Sequence, residues 1–353
     1  VLICLPMILF NEIPGNDTAG VYSRLMREVG AGRWNRAFFH LVPPLMPVAG
    51  GIFVALGASA FTAAKITSAI FFALTILPLY GLFRRMYDRR TALVACVLYL
   101  LCSPIVQYAG EGVLATTKTF FLVFTVYTTW RFFRTPSWSA ALLGAVAAAG
   151  LTLARGEGII FSGLAWLLMG LAVLRPSTPQ SPRARRMLML FGAGLMFVFL
   201  ILPWVVYEYK ETGWLVTDGK QALLIRRLLR REPRRQKQRR RQPQTERPKA
   251  APAAVLVTPL KSPSVEIMRG MFWPFWLLIL PVLVLRLRRR QWQFADTFLV
   301  GWVLVHTAFF VLFGRLTGVV ERRYFVAALP LTLGWAAMAV RAGWGWLQKR
   351  HAV

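Results

Sequence analysis

Long apolar runs alternate along this chain with short arginine clusters, and that alternation restricts the fold to one class. Hydrophobic residues make up 56% of the 353 residues and charged residues 16%, whereas a soluble domain carries about a quarter charged residues. The runs approach the roughly 20 residues that a helix needs to cross a bilayer. We therefore predict an all-α polytopic membrane protein with about ten transmembrane helices. The predicted spans are 1–11 (partial), 64–83, 91–108, 113–130, 138–154, 158–174, 187–207, 270–285, 297–314 and 324–340.

The spans divide the chain into three parts. These are an N-terminal transmembrane core (1–207) that includes a first outer loop (12–63), a long outer loop (208–269), and a C-terminal group of transmembrane helices (270–353). The opening run VLICLPMILF is about half a span, and we interpret it as a truncated first transmembrane helix rather than a signal peptide, because no basic n-region or cleavage site accompanies it.

The formal net charge of +29 would suggest nucleic-acid binding in a soluble protein. In a membrane protein, however, Lys and Arg accumulate in cytoplasmic loops. Alternate connections here are arginine-rich, and the opposite set holds most of the loop acids, so topology explains the charge and we predict no nucleic-acid partner. The three cysteines, Cys4, Cys96 and Cys102, lie in apolar runs without metal-ligand spacing and are expected to act as small hydrophobes.

One basic segment breaks this pattern. Residues 226–249 are rich in Arg, Gln and Pro and fall on the predicted outer side. Long loops translocate largely regardless of charge, so the topology stands. The composition favours a disordered or interfacial insertion. The segment is either a solvated insertion or a site for anionic lipid headgroups, since each basic residue near a membrane surface contributes about 1 kcal/mol.

The first outer loop carries an amphipathic pattern. In TAGVYSRLMREV, Val21, Leu25 and Val29 share one helical face, and Arg24 and Arg27 lie on the other. This pattern predicts a helix that lies flat at the membrane interface. The following stretch, 43–57, is apolar but short and rich in Pro and Gly, which favours a second, partly embedded helix.

Asp17 stands at the head of that first helix. Two interpretations are open. Asn16 or Asp17 is an N-cap that accepts backbone N–H bonds, or Asp17 is a carboxylate with a chemical role at the membrane surface.

Charged residues also cluster at the outer ends of the later spans. Glu111 lies in one outer hairpin, Arg155 and Glu157 lie in the next, and Glu321, Arg322, Arg323 and Tyr324 open the last span. Charges next to apolar runs are costly and tend to mark function. In one interpretation, these charged residues have a structural role: they pair with one another and fix the packing of the helices. Read functionally, arginines facing an acid at headgroup depth suit a lipid-linked phosphate, because Arg binds phosphate bidentately and the acid can accept a proton from an incoming hydroxyl.

Five segments, in order, resemble one family of membrane enzymes. They are NDTAGVYSRLMREVGAGRW, HLVPPL, GLTLARGEGII, PWVVYEYKETGWLVTDG and ERRYFVAALPL, and the match runs over most of the chain apart from 221–265. The chain thus resembles the GT-C superfamily of membrane glycosyltransferases, in the branch of bacterial lipopolysaccharide-core, aminoarabinose and protein O-mannosyl transferases.

The resemblance implies an inverting transfer of a sugar from a polyprenyl-phosphate donor to a lipid, polysaccharide or protein acceptor. It also implies a multi-pass protein of the bacterial inner membrane, surrounded by membrane lipids, with its active site on the periplasmic face. Asp17 would be the catalytic base, and Arg155, Arg322, Arg323 and Tyr324 would form the donor-phosphate site. His40, Glu111 and Glu157 would shape the substrate site.

The chain departs from the family pattern in two places. Thr116-Thr117-Lys118 stands where the family usually has an acid or polar group in the fourth span, and Asp17 lacks the second acid often found beside it. A divalent metal therefore lacks a clear ligand set, and no cofactor is predicted with certainty.

Two other functions fit parts of the sequence. A flippase or transporter of lipid-linked sugars would share the topology and the arginines, but transporters often contain repeated halves and broken helices near the midplane. No related halves are visible here. A non-catalytic membrane scaffold would use the basic segment 226–249 to recruit anionic partners.

Overall fold

The chain is described by a computed structural model that covers residues 18–39, 41–176, 182–217, 269, 273–317 and 321–351. The described residues form helices joined by turns and irregular connections, without a β-strand, and Phe39 and Val42 form an isolated β-bridge. The opening run 1–11, Asp17, His40 and the basic segment 226–249 lie outside the described residues. The helices are α1 (Ser23–Gly30, continuing a π-helical turn, Thr18–Tyr22), α2 (Trp34–Ala37), α3 (Leu45–Ala55), α4 (Ala60–Met86), α5 (Arg89–Leu100), α6 (Ser103–Gly110), α7 (Ala115–Arg134), α8 (Trp138–Ala154), α9 (Gly158–Leu174), α10 (Arg183–Thr212), α11 (Trp273–Arg288), α12 (Phe294–Thr317), α13 (Arg322–Val326) and α14 (Leu329–His351).

The predicted number of spans is not confirmed. Among the described helices, α4, α10 and α12 are long and apolar enough to cross a membrane. The pair α5 and α6 makes a fourth span if it is counted as one, although its two helices meet at an angle of 53°. The helices α3, α8 and α9 are apolar but shorter, with 11, 17 and 17 residues. The bounds predicted for the spans 138–154 and 158–174 are those of α8 and α9.

The amphipathic first helix is present, but its apolar face is covered by protein. Leu25, Met26 and Val29 are buried, whereas Arg24 and Arg27 are exposed. A Cβ atom placed on Gly50 or Gly51 of α3 would collide with Met26 or Val29. These two glycines therefore allow α3 to approach α1 closely enough to bury the apolar face. The exposed face of α1 is the arginine face.

Polar caps start three of the helices. Ser59, Asp88 and Ser137 each accept a hydrogen bond from the backbone N–H three residues later, at the starts of α4, α5 and α8. Such caps satisfy N–H groups that lack a partner within the helix. These caps determine where the apolar helices begin.

One buried carboxylate ties four helices together at one end of the bundle. Asp296 of α12 accepts hydrogen bonds from the Tyr87 hydroxyl after α4 (2.7 Å), from Arg286 Nη2 of α11 (2.8 Å) and from Trp335 Nε1 of α14 (2.9 Å). The backbone N–H of Gln293 is also bonded to it, at 2.9 Å. A fully buried carboxylate needs such partners to offset its desolvation.

The arginine-rich connections meet at this same end. Arg175 lies 3.5 Å from the centre of the Phe133 ring, which stacks on Phe294 with centroids 5.1 Å apart. Arg341 of α14 donates to Asp88, at 2.6 Å. The connections at Glu111, Arg155 and Arg322 lie at the other ends of their helices. The two sets of connections separated in the sequence therefore occupy opposite ends of the bundle.

Candidate active site

A cavity of about 250 Å³ opens at the end opposite to the arginine-rich connections. It lies between the helices of the first outer loop, the start of α7 and the turn that joins α8 to α9. Its two charged lining residues are Arg155 and Arg323. The remaining lining residues are Val21, Tyr22, Phe39, Leu41, Val42, Pro43, Leu114 and Ala115. A mostly apolar cavity with two guanidinium groups can hold an anionic group that is attached to a lipid.

Arg155 is held in place on two sides. Its Nε–H forms an ion pair with the carboxylate of Glu157, and both side chains are about nine-tenths buried. The guanidinium carbon lies 4.4 Å from the centre of the Tyr324 ring. Burial alone would lower the pKa of Arg155, but Glu157, Tyr324 and Tyr22 outweigh that effect and raise it. The guanidinium therefore stays charged at the wall of the cavity.

The sequence Arg155-Gly156-Glu157-Gly158 builds this arrangement locally. Arg155 ends α8, and the backbone N–H of Gly158 at the start of α9 donates to the Arg155 carbonyl at 2.7 Å. A Cβ atom on Gly158 would collide with the Leu151 carbonyl oxygen of α8. Because glycine permits that close approach, the turn is tight enough to place the ion-paired side chains side by side.

Stacked aromatic rings pack against Arg155. The Tyr324 ring stacks on the Phe310 ring with centroids 5.1 Å apart and planes 16° apart. The Lys118 Nζ atom lies 4.0 Å from the centre of the Phe310 ring. The site thus contains a continuous series of contacts from Lys118 of α7 through α12 and α13 to Arg155.

Lys118 and His306 are two fully buried polar residues that the resemblance did not assign. Within the described part of the chain, the Lys118 amino group and both ring nitrogens of His306 have no hydrogen-bond partner. His306 packs against the same two rings as Lys118, at 5.0 Å from Phe161 and 4.9 Å from Phe310. Unsatisfied polar groups in a membrane-spanning core are costly and mark a functional region.

The structure separates the residues predicted at the last span. Arg323 lines the cavity and donates to Glu321 at 3.1 Å. Arg322 does not line the cavity, and its guanidinium carbon lies 5.6 Å from the Tyr108 ring centre. Tyr324 is buried beneath Arg155. Of the predicted phosphate ligands, the structure thus brings Arg155 and Arg323 to the cavity, with Tyr324 as a support.

The other predicted site residues either lie away from the cavity or fall outside the described residues. Glu111 accepts a hydrogen bond from Gln107 Nε2 at 2.7 Å and does not line the cavity. Asp17 and His40 lie outside the described residues, although Asp17 directly precedes in sequence the π-helical turn that supplies Val21 and Tyr22 to the cavity. Their assigned roles remain predictions.

Sequence reasoning missed Tyr22, Lys118 and His306 as site residues. Tyr22 stood within the segments NDTAGVYSRLMREVGAGRW and TAGVYSRLMREV without a role of its own, and Lys118 was noted only as part of a departure from the family pattern. An ionisable residue inside an apolar run was the available indication for Lys118 and His306. The helices that cover these two residues are distant from one another in the sequence, so local patterns do not indicate which helices they are.

The described residues do not fit a metal site. Within the ranges that the structure covers, no group of three or more His, Cys, Asp or Glu side chains could hold a metal ion. Lys118, whose ammonium group carries a positive charge and no free lone pair for a metal ion, stands where the resemblance implies an acid or another polar group. No chemical step is assigned to a metal here.

Comparison with known proteins identifies the fold. Residues 42–207, fewer than half of the chain, match the family model described as dolichyl-phosphate-mannose-protein mannosyltransferase. The apo structure of ArnT from Cupriavidus metallidurans matches 98% of this chain with a TM-score of 0.63 and 14% identity. This is the GT-C fold. The resemblance read from the sequence is confirmed at the level of the fold.

A second GT-C structure matches over the whole chain. The archaeal oligosaccharyltransferase AglB from Archaeoglobus fulgidus, in complex with an inhibitory peptide and a dolichol-phosphate, aligns with 100% of this chain at a TM-score of 0.54 and 17% identity. The chain covers 59% of the ArnT chain and 51% of the AglB chain. No curated protein sequence matches the chain.

Proposed function

We propose that this protein is a membrane glycosyltransferase that moves a sugar from a polyprenyl-phosphate donor to an acceptor on the outer face of the bacterial inner membrane. The observation that carries the proposal is the position of Arg155. Its guanidinium is buried, fixed by Glu157 and Tyr324, and directed at a cavity that it shares with Arg323. The match to the mannosyltransferase family model, together with the GT-C fold, supports a glycosyl transfer.

The proposed reaction is a single displacement with inversion. The acceptor oxygen forms a bond to the anomeric carbon of the sugar as the bond from that carbon to the donor phosphate oxygen breaks. The electron pair of the broken bond leaves with the lipid phosphate. The acceptor hydroxyl gives its proton to the carboxylate of Asp17. One carboxylate suffices, because the phosphate leaves without needing a proton.

The two arginines would act on the leaving group. Negative charge grows on the phosphate in the transition state, and preorganised cations at a dry site stabilise such charge more than water does. Glu157 and Tyr324 hold Arg155 before the donor arrives, so the reaction does not spend binding energy on orienting the guanidinium. A lipid-linked donor also fits the apolar lining of the cavity. The AglB comparison structure holds a dolichol-phosphate, which is a polyprenyl phosphate of this kind.

The test is sugar transfer in membranes that contain the protein and labelled polyprenyl-phosphate sugars, with Asp17→Asn beside the wild type. The proposal predicts that Asp17→Asn keeps donor binding while transfer falls by about 10²–10⁴-fold, as expected for the loss of a general base. If Asp17 is an N-cap instead, transfer survives, because Asn caps a helix about as well as Asp does.

Two outcomes would favour the other functions. Movement of the labelled donor across the membrane without transfer to any acceptor would indicate a flippase. Loss of function on deletion of 226–249, with Asp17→Asn harmless, would indicate a scaffold. Either result would contradict the proposed transferase.

A further inference from the structure

A second cavity, of about 230 Å³, adjoins the first. The two share Val21 and Phe39 in their linings. The charged residues of the second cavity are Arg24 of α1 and Arg36 of α2. The remaining residues that line it are Gly20, Val21, Leu25, Phe38 and Phe39. The cavity is thus a second cationic site next to the proposed donor-phosphate site.

Arg24 and Arg36 have no acid bound directly to them within the described residues; the charge of Glu28 acts on both, but its carboxylate is bound to Arg33. Neither forms an ion pair or a side-chain hydrogen bond there, whereas the neighbouring Arg33 pairs with Glu28 at 2.7 Å. That hydrogen bond holds the pKa of Glu28 below its usual value. Residues 18–39 contain four arginines and this single acid. Arginines on the outer side run against the usual charge bias of membrane proteins, which points to a role in binding.

Phe38 lines the second cavity, and three further aromatic rings hold it in place. The Phe38 ring packs against Trp34, Trp204 and Tyr207, with centroids 6.2, 6.0 and 5.8 Å away. Trp204 and Tyr207 of α10 stack on each other at 5.1 Å. Aromatic rings present flat, rigid surfaces with apolar faces, against which the apolar face of a sugar ring can pack.

We propose that the second cavity binds the acceptor substrate, and that it recognises a sugar bearing an anionic group, a phosphate or a carboxylate. Arg24 and Arg36 hold the anion, and the Phe38 ring contacts the sugar. The inference rests on the proposed function, because a glycosyltransferase needs a second substrate, the acceptor, to reach the donor cavity. The anionic group serves as a handle, and a separate hydroxyl of the acceptor is the nucleophile.

A membrane-lipid headgroup is the other source of the same anion. The fold favours the acceptor, because the apolar face of α1 is buried against α3 and is not available to insert among lipid chains. Surface adsorption by an amphipathic helix needs that face. What remains exposed is a concave, arginine-lined surface beside the donor cavity.

The experiment compares two probes, octyl glucoside 6-phosphate and octyl glucoside, binding to the whole protein in phosphatidylcholine nanodiscs. The wild type is expected to bind the phosphorylated probe at least about tenfold more tightly, because hydrogen bonds to charged groups are the stronger ones. Arg24→Gln and Arg36→Gln should each remove most of this preference. The matched control Arg27→Gln, an exposed arginine of α1 that does not line the cavity, should keep it.

Three results would overturn the inference. One is equal binding of the two probes by the wild type. Another is an equal loss of preference in Arg27→Gln, which would show that general surface charge causes the preference for the phosphorylated probe. The third is loss of phosphorylated-probe binding when phosphatidylglycerol replaces part of the nanodisc lipid, which would assign the cavity to a lipid headgroup.

Binding of geranyl phosphate, a short donor analogue, separates this inference from the proposed function. Arg24→Gln and Arg36→Gln should leave geranyl phosphate affinity unchanged, and a parallel loss would assign the second cavity to the donor and overturn the inference. If the wild type prefers the phosphorylated glucoside but does not bind geranyl phosphate, the proposed donor site in the first cavity is wrong. The anion site in the second cavity is then still supported.

Discussion

The guanidinium of Arg155 lies 4.4 Å from the centre of the Tyr324 ring, and this ring in turn stacks on Phe310 with centroids 5.1 Å apart. Lys118 completes the series at 4.0 Å from Phe310. Four helical segments thus contribute to the position of one guanidinium. Arg155, the proposed phosphate ligand, therefore has little freedom to turn away from the cavity.

The aromatic ring of Tyr324 should matter more than its hydroxyl. Tyr324→Phe keeps the ring beneath Arg155, whereas Tyr324→Leu removes a cation–π contact worth about 2 kcal/mol at a desolvated site, or about 30-fold in affinity. We expect geranyl phosphate to bind Tyr324→Leu about 30-fold more weakly and Tyr324→Phe nearly as well as the wild type. Equal losses in both variants would show that the hydroxyl, not the ring, supports the site.

Lys118 should lower stability and support activity. Its amino group is buried without a hydrogen-bond partner in the described part of the chain, a situation that costs about 1–3 kcal/mol. Lys118→Met should therefore raise the melting temperature in detergent while sugar transfer falls by about tenfold, the drop that follows from a loss of about 1.4 kcal/mol of support for Arg155.

Thr125→Val is the matched control for Lys118→Met. Thr125 lies two turns further along α7, and its buried hydroxyl also donates no hydrogen bond to the described residues. This variant should stabilise the protein slightly and leave transfer unchanged. Full transfer by Lys118→Met would remove Lys118 from the site.

Gly158 should tolerate no side chain. Gly158→Ala would push the new methyl group into the Leu151 carbonyl oxygen, and overpacking of this kind typically costs about 1–3 kcal/mol. We expect a lower melting temperature and weaker geranyl phosphate binding, because the turn that joins Arg155 to Glu157 must widen. Gly163→Ala, on the same helix with open space around it, should change neither property.

The Asp88–Arg341 pair should make stability depend on acid pH. Partial burial would raise the pKa of Asp88, but the Thr91 backbone N–H and Arg341 lower it to about 2. A lowered carboxyl pKa gives stability that is present above the unfolded-state value near 4 and is lost as pH falls toward 2. The effect should be small, on the order of 1 kcal/mol or less, because the Asp88 side chain is half exposed.

Melting curves of wild type and Asp88→Asn between pH 7 and pH 2 measure this contribution. Asn preserves the helix cap, so the difference between the two proteins reports the charge alone. The wild type should be more stable at pH 7, and the two curves should converge between about pH 4 and pH 2. Parallel curves over that window would mean that the pair contributes nothing.

Local features made part of the fold predictable. The bounds of α8 and α9 followed from uninterrupted apolar runs that end at Arg155-Gly156-Glu157 and at Arg175. The break between α5 and α6 was missed, although Pro104 in the first turn of α6 favours a new helix start there. The last span was predicted as one helix, but a turn at Ala327 and Ala328 separates α13 from α14.

The candidate site was predictable only in part. Arg155 and Arg323 stood out as charges next to apolar runs, and the family resemblance assigned them, with Tyr324, to the donor-phosphate site. Their support by Phe310 and Lys118 was not identified, since Lys118 and Phe310 are almost two hundred residues apart and no local pattern indicates their contact. In the second cavity, Phe38 packs against Trp204 and Tyr207 of α10, a contact that periodicity alone does not reveal.

The central claim is that the cavity holding Arg155 is where the sugar leaves its lipid phosphate. The most direct measurement is the initial rate of sugar transfer from a labelled polyprenyl-phosphate sugar, in membranes containing wild type, Arg155→Gln or Arg322→Gln. We expect a loss of at least about 100-fold in Arg155→Gln, comparable to the removal of one charge-stabilising donor in an active site. Arg322 lies outside the cavity, so Arg322→Gln should cause a much smaller loss. Undiminished transfer by Arg155→Gln would contradict the central claim.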